Sequence, residues 1–245
     1  MERAGRMKNS SVKLSPRLAA VAGYIPRGSV MADIGTDHAY LPVYLVESGV
    51  CPGAVAADLN PGPYRAALES VVRAGLADLI AVRRGNGLQC LEPGEVQVVV
   101  MAGMGGGTMR RLLEAAPGVL AALERLVLQP MDDAPQLRRW LIDHGWRLAD
   151  ERLVEDDGHL YLVLAAEPGA EIIADDLALL LGPRILERND PMLVGYLDSI
   201  IEQHRRVLKG LARSPRREVR EKEAVVEARL KELEGVLEKC RQKQN

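Results

Sequence analysis

The chain has 245 residues, 47% of them hydrophobic and 27% charged, enough for one ordinary core plus a smaller appendage. This excludes a disordered tail, a collagen-like fibre and a disulfide-stapled miniprotein. The net charge of −2 hides basic ends: residues 1–29 carry six Lys/Arg against one acid, residues 202–245 thirteen against eight, and residues 30–201 thirteen against twenty-five. From charge alone, solvated helices at both ends are the simpler reading; a cation-binding body flanked by polyanion-binding surfaces is the sharper one. No apolar run approaches the ~18 residues of a membrane helix, and none follows the basic segment Met1 to Ser15, so neither a membrane span nor a secretory signal is expected. Cys51, Cys90 and Cys240 are odd in number and widely spaced, which suits a reducing cytoplasm and implies no zinc site.

In chain order, Val30 to Ile34 reads as a buried strand stopped at Gly35. Leu41, Tyr44 and Leu45 then mark a helix, with Gly49 beyond its end. Gly53 to Asp58 is a second strand, followed by Asn60-Pro61-Gly62-Pro63 read as a turn and a helix over Ala66 to Ala74. Ile80 to Arg84 is the third strand, and Val96 to Met101, the most apolar, is the expected centre of a parallel sheet. Leu126 to Leu128 is the fifth, closed by Gln129-Pro130 and followed by a helix over Gln136 to His144. Trp146 to Val154 and His159 to Ala165 flank Asp156-Asp157-Gly158, a hairpin signal. Five strand-helix units and a hairpin predict a three-layer α/β sandwich over residues 13–168. Residues 169–245 predict a helical domain. Leu197, Ile201, His204, Leu208 and Leu211, and then Val226, Leu230, Leu233, Leu237 and Cys240, step by four and three, as in an antiparallel coiled-coil hairpin around Arg213-Ser214-Pro215.

In an open α/β sheet, ligands sit beyond the carboxyl ends of the strands, where Gly35, Asp58, Asn86, Gly103 and Gln129 would gather. Asp58 lies 23 residues after Gly35, the spacing at which a carboxylate grips the two hydroxyls of an adenosyl ribose. Gly35-Thr36-Asp37-His38-Ala39 lacks the second glycine of a dinucleotide loop, and Asp33, Asp37 and Asp58 would attract a sulfonium cation. Asp33 alone serves equally as a helix cap; with Asp58 at this distance, the cofactor reading prevails. Asn86 and Gly87 offer edge recognition of a flat base, although an ordinary Asn-Gly turn explains them as well. The run Gly103 to Gly107 lets a ligand approach backbone, but without Gly-Lys-Ser/Thr it is no phosphate loop. Met104 walls a base or joins the core, and His38 with Tyr40 lines an acceptor pocket or only opens a helix. The four histidines have no cluster spacing, so no metal is expected.

Several strings go further. Ser15-Pro16-Arg17-Leu18, Asp33-Ile34-Gly35-Thr36-Asp37-His38-Ala39-Tyr40-Leu41-Pro42, Gly85-Asn86-Gly87-Leu88, Ala102-Gly103-Met104-Gly105-Gly106 and Leu128-Gln129-Pro130 together resemble the bacterial tRNA adenine-22 N1-methyltransferases, in order over roughly residues 13–165. The tail resembles that family's C-terminal extension in kind. The resemblance implies a Rossmann-like methyltransferase fold, S-adenosylmethionine as cofactor, and methylation of adenine N1 in tRNA. On that footing Asp33 or Asp37 is the candidate catalytic carboxylate. The cofactor set is Asp33, Gly35, Asp58, Asn86, Gly87, Ala102 and Gly103. The acceptor pocket is His38, Tyr40, Met104, Gly105, Gly106, Gln129 and Pro130. With two Trp, six Tyr and no Phe for stacking, RNA affinity is expected from Lys13, Arg17, Arg27, Arg205, Arg206, Arg213, Arg216 and Arg217. The expected protein is cytoplasmic and monomeric, with dimerisation through the C-terminal helices as the alternative. A methyltransferase of another RNA or of a small molecule, and a non-catalytic RNA- or protein-binding adaptor, are the rival readings.

Overall fold

The structure, a computed structural model, describes residues 10–211 and 217–244. Its contacts divide the chain into two units, Met1–Ile173 and Ala174–Asn245. The first unit opens with α1 (Pro16–Ala22), capped by the Ser15 hydroxyl, which accepts from the Leu18 N–H at 3.4 Å. Five strands follow: β1 (Met31–Ile34), β2 (Ala54–Asp58), β3 (Ile80–Arg84), β4 (Val98–Met104) and β5 (Arg125–Pro130). They are joined through α2 (Tyr40–Glu47), α3 (Pro61–Arg73), a 3-10 turn (Gly87–Cys90), and α4 (Gly106–Glu114) with α5 (Pro117–Leu120). Then α6 (Ala134–Asp143) leads to the hairpin β6 (Trp146–Asp156) and β7 (His159–Pro168).

The strands form one sheet in the order β3-β2-β1-β4-β5-β7-β6, parallel up to β5 and antiparallel at β7 and β6. Strands buried on both faces must be apolar throughout, and every residue of β1 and β2 is buried. Met31, Ala54, Ala56, Val98, Val100 and Val127 point to one face, where Val21 of α1, Leu41 and Leu45 of α2 and Ala67 and Val71 of α3 join them in a core. The alternate residues of the same strands are buried too, as are Met109, Leu113, Leu137 and Leu141 of α4 and α6. The chain is therefore a Rossmann-like α/β sandwich.

Three local expectations are corrected. Asn60-Pro61-Gly62-Pro63 is the start of α3, not a turn: Asn60 is the cap and Pro61 opens the first helical turn, where no N–H partner is lost. The third strand is followed by the 3-10 turn alone, so there are not five strand-helix units. Strands β4 and β5 run on through Ala102–Met104 and Gln129–Pro130, with a register shift between Ala102 and Met104, where Gly103 takes φ +78°. Asp157 and Gly158 both have positive φ, as the predicted two-residue hairpin turn requires.

The second unit holds α7 (Asp176–Leu181), α8 (Pro183–Arg188), α9 (Leu193–Leu211) and α10 (Arg217–Gln244). Helices α9 and α10 pack together, and the ion pairs Arg205–Glu234 and Arg241–Asp198 run in opposite chain order, which makes them antiparallel. Leu197, Ile201, Leu233 and Leu237 of the predicted seam are buried; His204 and Cys240 are half-buried at its margin. Among the described residues no helix is long and apolar enough to cross a membrane.

Candidate active site

Sheet order reverses between β1 and β4, which opens a crevice at the carboxyl ends of the strands. The registers set Ile34 level with Ala57 and Met101, Asp58 level with Arg84, and Ala102 level with Gln129. The segments bearing Gly35, Asp58, Asn86, Gly103 and Gln129 thus share that edge.

Asp33 and Asp58 are its charge. Asp33 is 7% exposed and accepts the Thr36 hydroxyl at 2.7 Å. Burial pushes its carboxyl up to about 6, against the pull of that hydrogen bond and helped by the negative charge of Asp58. Asp58 is 9% exposed; Oδ1 accepts the Asn60 N–H at 2.8 Å, and its other oxygen has no partner among the described residues. Neither carboxylate has a Lys or Arg within salt-bridge reach among the described residues.

The loop after β1 is tightly held. The N–H groups of Gly35 and Thr36 both donate to the Ala57 carbonyl, at 2.8 and 3.1 Å, and Gly35, Asp37 and Ala39 have φ of +78°, +52° and +55°. Two non-glycine residues in the left-handed region within one short loop is a strain of the kind that collects at functional sites. Asp37 is exposed, 3.6 Å from His38 Nε2, and the His38 ring stacks on Tyr40 with centroids 5.2 Å apart. These three form the outer lip, while Asp33 lies beneath.

Across the crevice, Met104 reaches over Gly35: a Cβ there would stand 2.9 Å from Met104 Cε. Gln129 is fully buried, and its Oε1 accepts from Gly103 N–H at 3.0 Å and from Arg17 Nη1 at 2.6 Å. The Arg17 guanidinium also lies 5.4 Å from the Tyr161 ring centroid. Arg17, expected to meet RNA phosphate, is thus placed at the crevice, where it fixes the Gln129 amide. The glycine run is also explained differently from expectation. A Cβ on Gly105 would sit 2.7 Å from Asp132 Oδ1, and the Gly106 N–H donates to that same oxygen at 3.1 Å. Gly105 and Gly106 admit the chain at Asp132 and Asp133, so the space beside them is filled by protein.

Asn86 is exposed with no side-chain hydrogen bond among the described residues, and Gly87 has φ +59° with Leu112 too close for any Cβ. Leu59 beside Asp58 and Met131 after Pro130 are each 55% exposed on this edge. Sequence reasoning named neither as a site residue, nor Asp132; for Leu59 and Met131 the available signal was an apolar residue where strand-end turn chemistry calls for a polar one, and for Asp132 there was none. Of the expected RNA contacts, Lys13 is exposed, Arg27 donates to the Gly49 carbonyl at 3.3 Å, Arg205 pairs with Glu234 at 2.7 Å, and Arg206 lies 3.6 Å from Glu202. Arg213 and Arg216 lie outside the described residues, as does the side chain of Arg217. No group of three potential metal ligands occurs among the described residues.

A methyltransferase-domain family matches residues 14–164. The tRNA (adenine(22)-N(1))-methyltransferase of Bacillus subtilis strain 168 is 41% identical over 190 residues, 76% of this chain and 80% of that protein. The crystal structure of the B. subtilis m1A22 tRNA methyltransferase TrmK superposes with a TM-score of 0.86 at 35% identity, covering 93% of this chain and 100% of that one. Streptococcus pneumoniae Sp1610, a putative tRNA (m1A22) methyltransferase solved in complex with S-adenosyl-L-methionine, gives a TM-score of 0.83 at 34% identity over 92% of this chain and 100% of that one.

Proposed function

Proceeding from the fact that the chain belongs to the bacterial tRNA (adenine(22)-N(1))-methyltransferase family, we infer that it transfers the methyl group of S-adenosylmethionine to N1 of adenine 22 in tRNA. The observation that carries this reading is the pair of buried carboxylates, Asp33 and Asp58, held at the sheet's switch point without a compensating cation among the described residues. Two such charges together are costly in an empty crevice and favourable beside a cation. When bound, S-adenosylmethionine supplies an electrophilic methyl on a sulfonium that is already a good leaving group. In this reading Asp58 would accept ribose hydroxyls through the oxygen not bonded to Asn60, the Asn86 amide would meet the base edge, and the exposed Leu59 would cover a ring face.

Adenine N1 is a neutral nucleophile with its own lone pair, so no general base is needed. The protein's task is alignment, which can supply ~7–11 kcal/mol of a barrier, plus a field suited to charge that passes from sulfur to the purine. Asp33, ionised at neutral pH and rigidly held by Thr36, provides that field. On the acceptor side, Met104, Pro130 and the Arg17–Gln129–Gly103 linkage shape the wall, and His38 and Tyr40 form the lip. Because N1 lies on the pairing edge, the base must leave its stack to enter. A tRNA substrate also places the protein in the cytoplasm.

The test is transfer of labelled methyl from S-adenosylmethionine to unmodified tRNA, with the product nucleoside identified after digestion. The expected product is 1-methyladenosine. Label on another nucleoside, or none despite cofactor binding, would contradict this reading.

A further inference from the structure

We propose that the groove between the N-terminal segment, α2 and α3 binds the backbone phosphates of the tRNA, with Lys13 and Arg73 as its paired cations. The proposal rests on the tRNA-methyltransferase reading and adds a second contact surface to it. The groove encloses about 500 Å³ and is lined by Ser11, Lys13, Tyr40, Val43, Ser70 and Arg73, among others. Its lining holds two cations, two hydroxyls and a phenol, and no carboxylate. Such a set recognises a phosphate diester: point charge from Lys, a fork from Arg, and O–H donation from Ser70 and Tyr40, the Ser11 proton being already given to Glu47.

The groove's wall is built. Glu47, at the end of α2, accepts the Ser10 hydroxyl at 2.5 Å, the Ser11 N–H at 2.7 Å and the Ser11 hydroxyl at 2.8 Å. Those bonds fasten residues 10 and 11 onto the helix and fix the path of the chain into Lys13. Although burial works upward, the Ser10 and Ser11 hydrogen bonds hold the Glu47 carboxyl below its usual range, so the clasp stays charged at neutral pH.

Neither Lys13 nor Arg73 has an ion pair or a side-chain hydrogen bond among the described residues. That is notable for Arg73, which lies in the segment 30–201 where acids outnumber bases by twenty-five to thirteen. Two exposed cations that line one groove repel each other unless an anion joins them. Tyr40 links this groove to the crevice, because it lines the groove and belongs to the His38–Tyr40 stack at the lip. A strand whose target base enters the crevice would run its neighbouring phosphates past Tyr40.

The experiment uses the full chain with Lys13→Gln, Arg73→Gln and the double change, and measures tRNA affinity across a salt series together with S-adenosylmethionine affinity. Each single change should weaken tRNA binding several-fold at low salt and flatten the slope of log affinity against log salt by roughly 0.7–0.9. Cofactor affinity should stay at the wild-type value, which also reports an intact fold. A double variant with wild-type tRNA affinity and slope overturns the proposal while leaving the methyltransferase reading standing. Wild-type protein that binds S-adenosylmethionine but neither binds nor methylates tRNA overturns both. Titration with inorganic phosphate separates the remaining source: if it perturbs residues 11–13 and 70–74 while tRNA binding ignores the substitutions, the groove takes a small anion and the proposal fails.

Discussion

At the scale of single residues, the proposed chemistry turns on Asp33. Its carboxyl is raised from 3.8 to about 6, so the folded chain binds this proton more readily than the unfolded chain does. Stability without cofactor therefore falls as pH rises from about 4 to 6, and the full cost, about 3 kcal/mol for some two pKa units, persists above that. Asp33→Asn, which keeps the acceptor for Thr36, should raise stability at pH 8 by up to that amount, with no difference near pH 4. It should abolish methyl transfer. Denaturant titrations at the two pH values check this; equal stability of both proteins at pH 8 would remove the buried charge from the account. Asp37 is its contrast, exposed on the lip at φ +52°. Asp37→Gly relieves that backbone and should stabilise by up to about 1 kcal/mol, with turnover within a few-fold of wild type. A loss as deep as that of Asp33→Asn would move the catalytic role to Asp37. Spacing alone singled out Asp33 and Asp58 as a candidate cofactor pair, and both are buried at the ends of β1 and β2, because strand ends and glycine stops are written locally. It did not show Arg17 on Gln129 or Asp132 on Gly106, since those contacts join residues 112 and 26 positions apart in the chain.

At the scale of elements, the loops matter more than the strands. All seven strands were legible in the sequence, the central ones from short apolar runs bounded by Gly, Pro and Asp, and burial of β1, β2, β4 and β5 on both faces explains why those four carry so little alternation, whereas the edge strand β6 alternates. The ends of β4 and β5 were not legible. Ala102-Gly103-Met104 and Gln129-Pro130 have loop chemistry, yet they stay in the sheet because Gly103 absorbs the register shift and Gln129 bonds it from the next strand. Proline was likewise ambiguous at Pro61, which breaks a helix interior but suits a first turn. The close approach of the β4–α4 loop to Asp132 and Asp133 makes a sharp prediction. A Cβ on Gly106 would fall 2.9 Å from the Asp132 carbonyl oxygen and 3.0 Å from that of Asp133, and backbone cannot rotate away as a side chain can. Gly106→Ala should cost about 1–3 kcal/mol, seen as a lowered denaturation midpoint. Gly107→Ala, inside α4 with its nearest neighbours, the side-chain ends of Arg110 and Asp133, at 3.7 Å, should be neutral or stabilise by up to about 1 kcal/mol. Equal effects would mean that this loop is looser than its geometry implies.

At the scale of the whole molecule, the charge asymmetry read at the outset acquires a use: an acidic body around a cationic cofactor, with bases at both ends of a chain that must hold a polyanion. Removal of residues 190–245 should weaken tRNA binding more than S-adenosylmethionine binding; equal tRNA affinity of the truncated form would give the helical unit another purpose. What the sequence could not supply by its own chemistry is the target atom. No residue spacing distinguishes N1 from N6 of adenine, and that assignment comes from the family. The central claim is therefore best tested on paired substrates, one tRNA with adenine at position 22 and the same tRNA with guanine there, each incubated with labelled S-adenosylmethionine and digested for mass spectrometry. The account predicts 1-methyladenosine from the first and no transfer to the second. Comparable transfer to both, or N6-methyladenosine from the first, would contradict it.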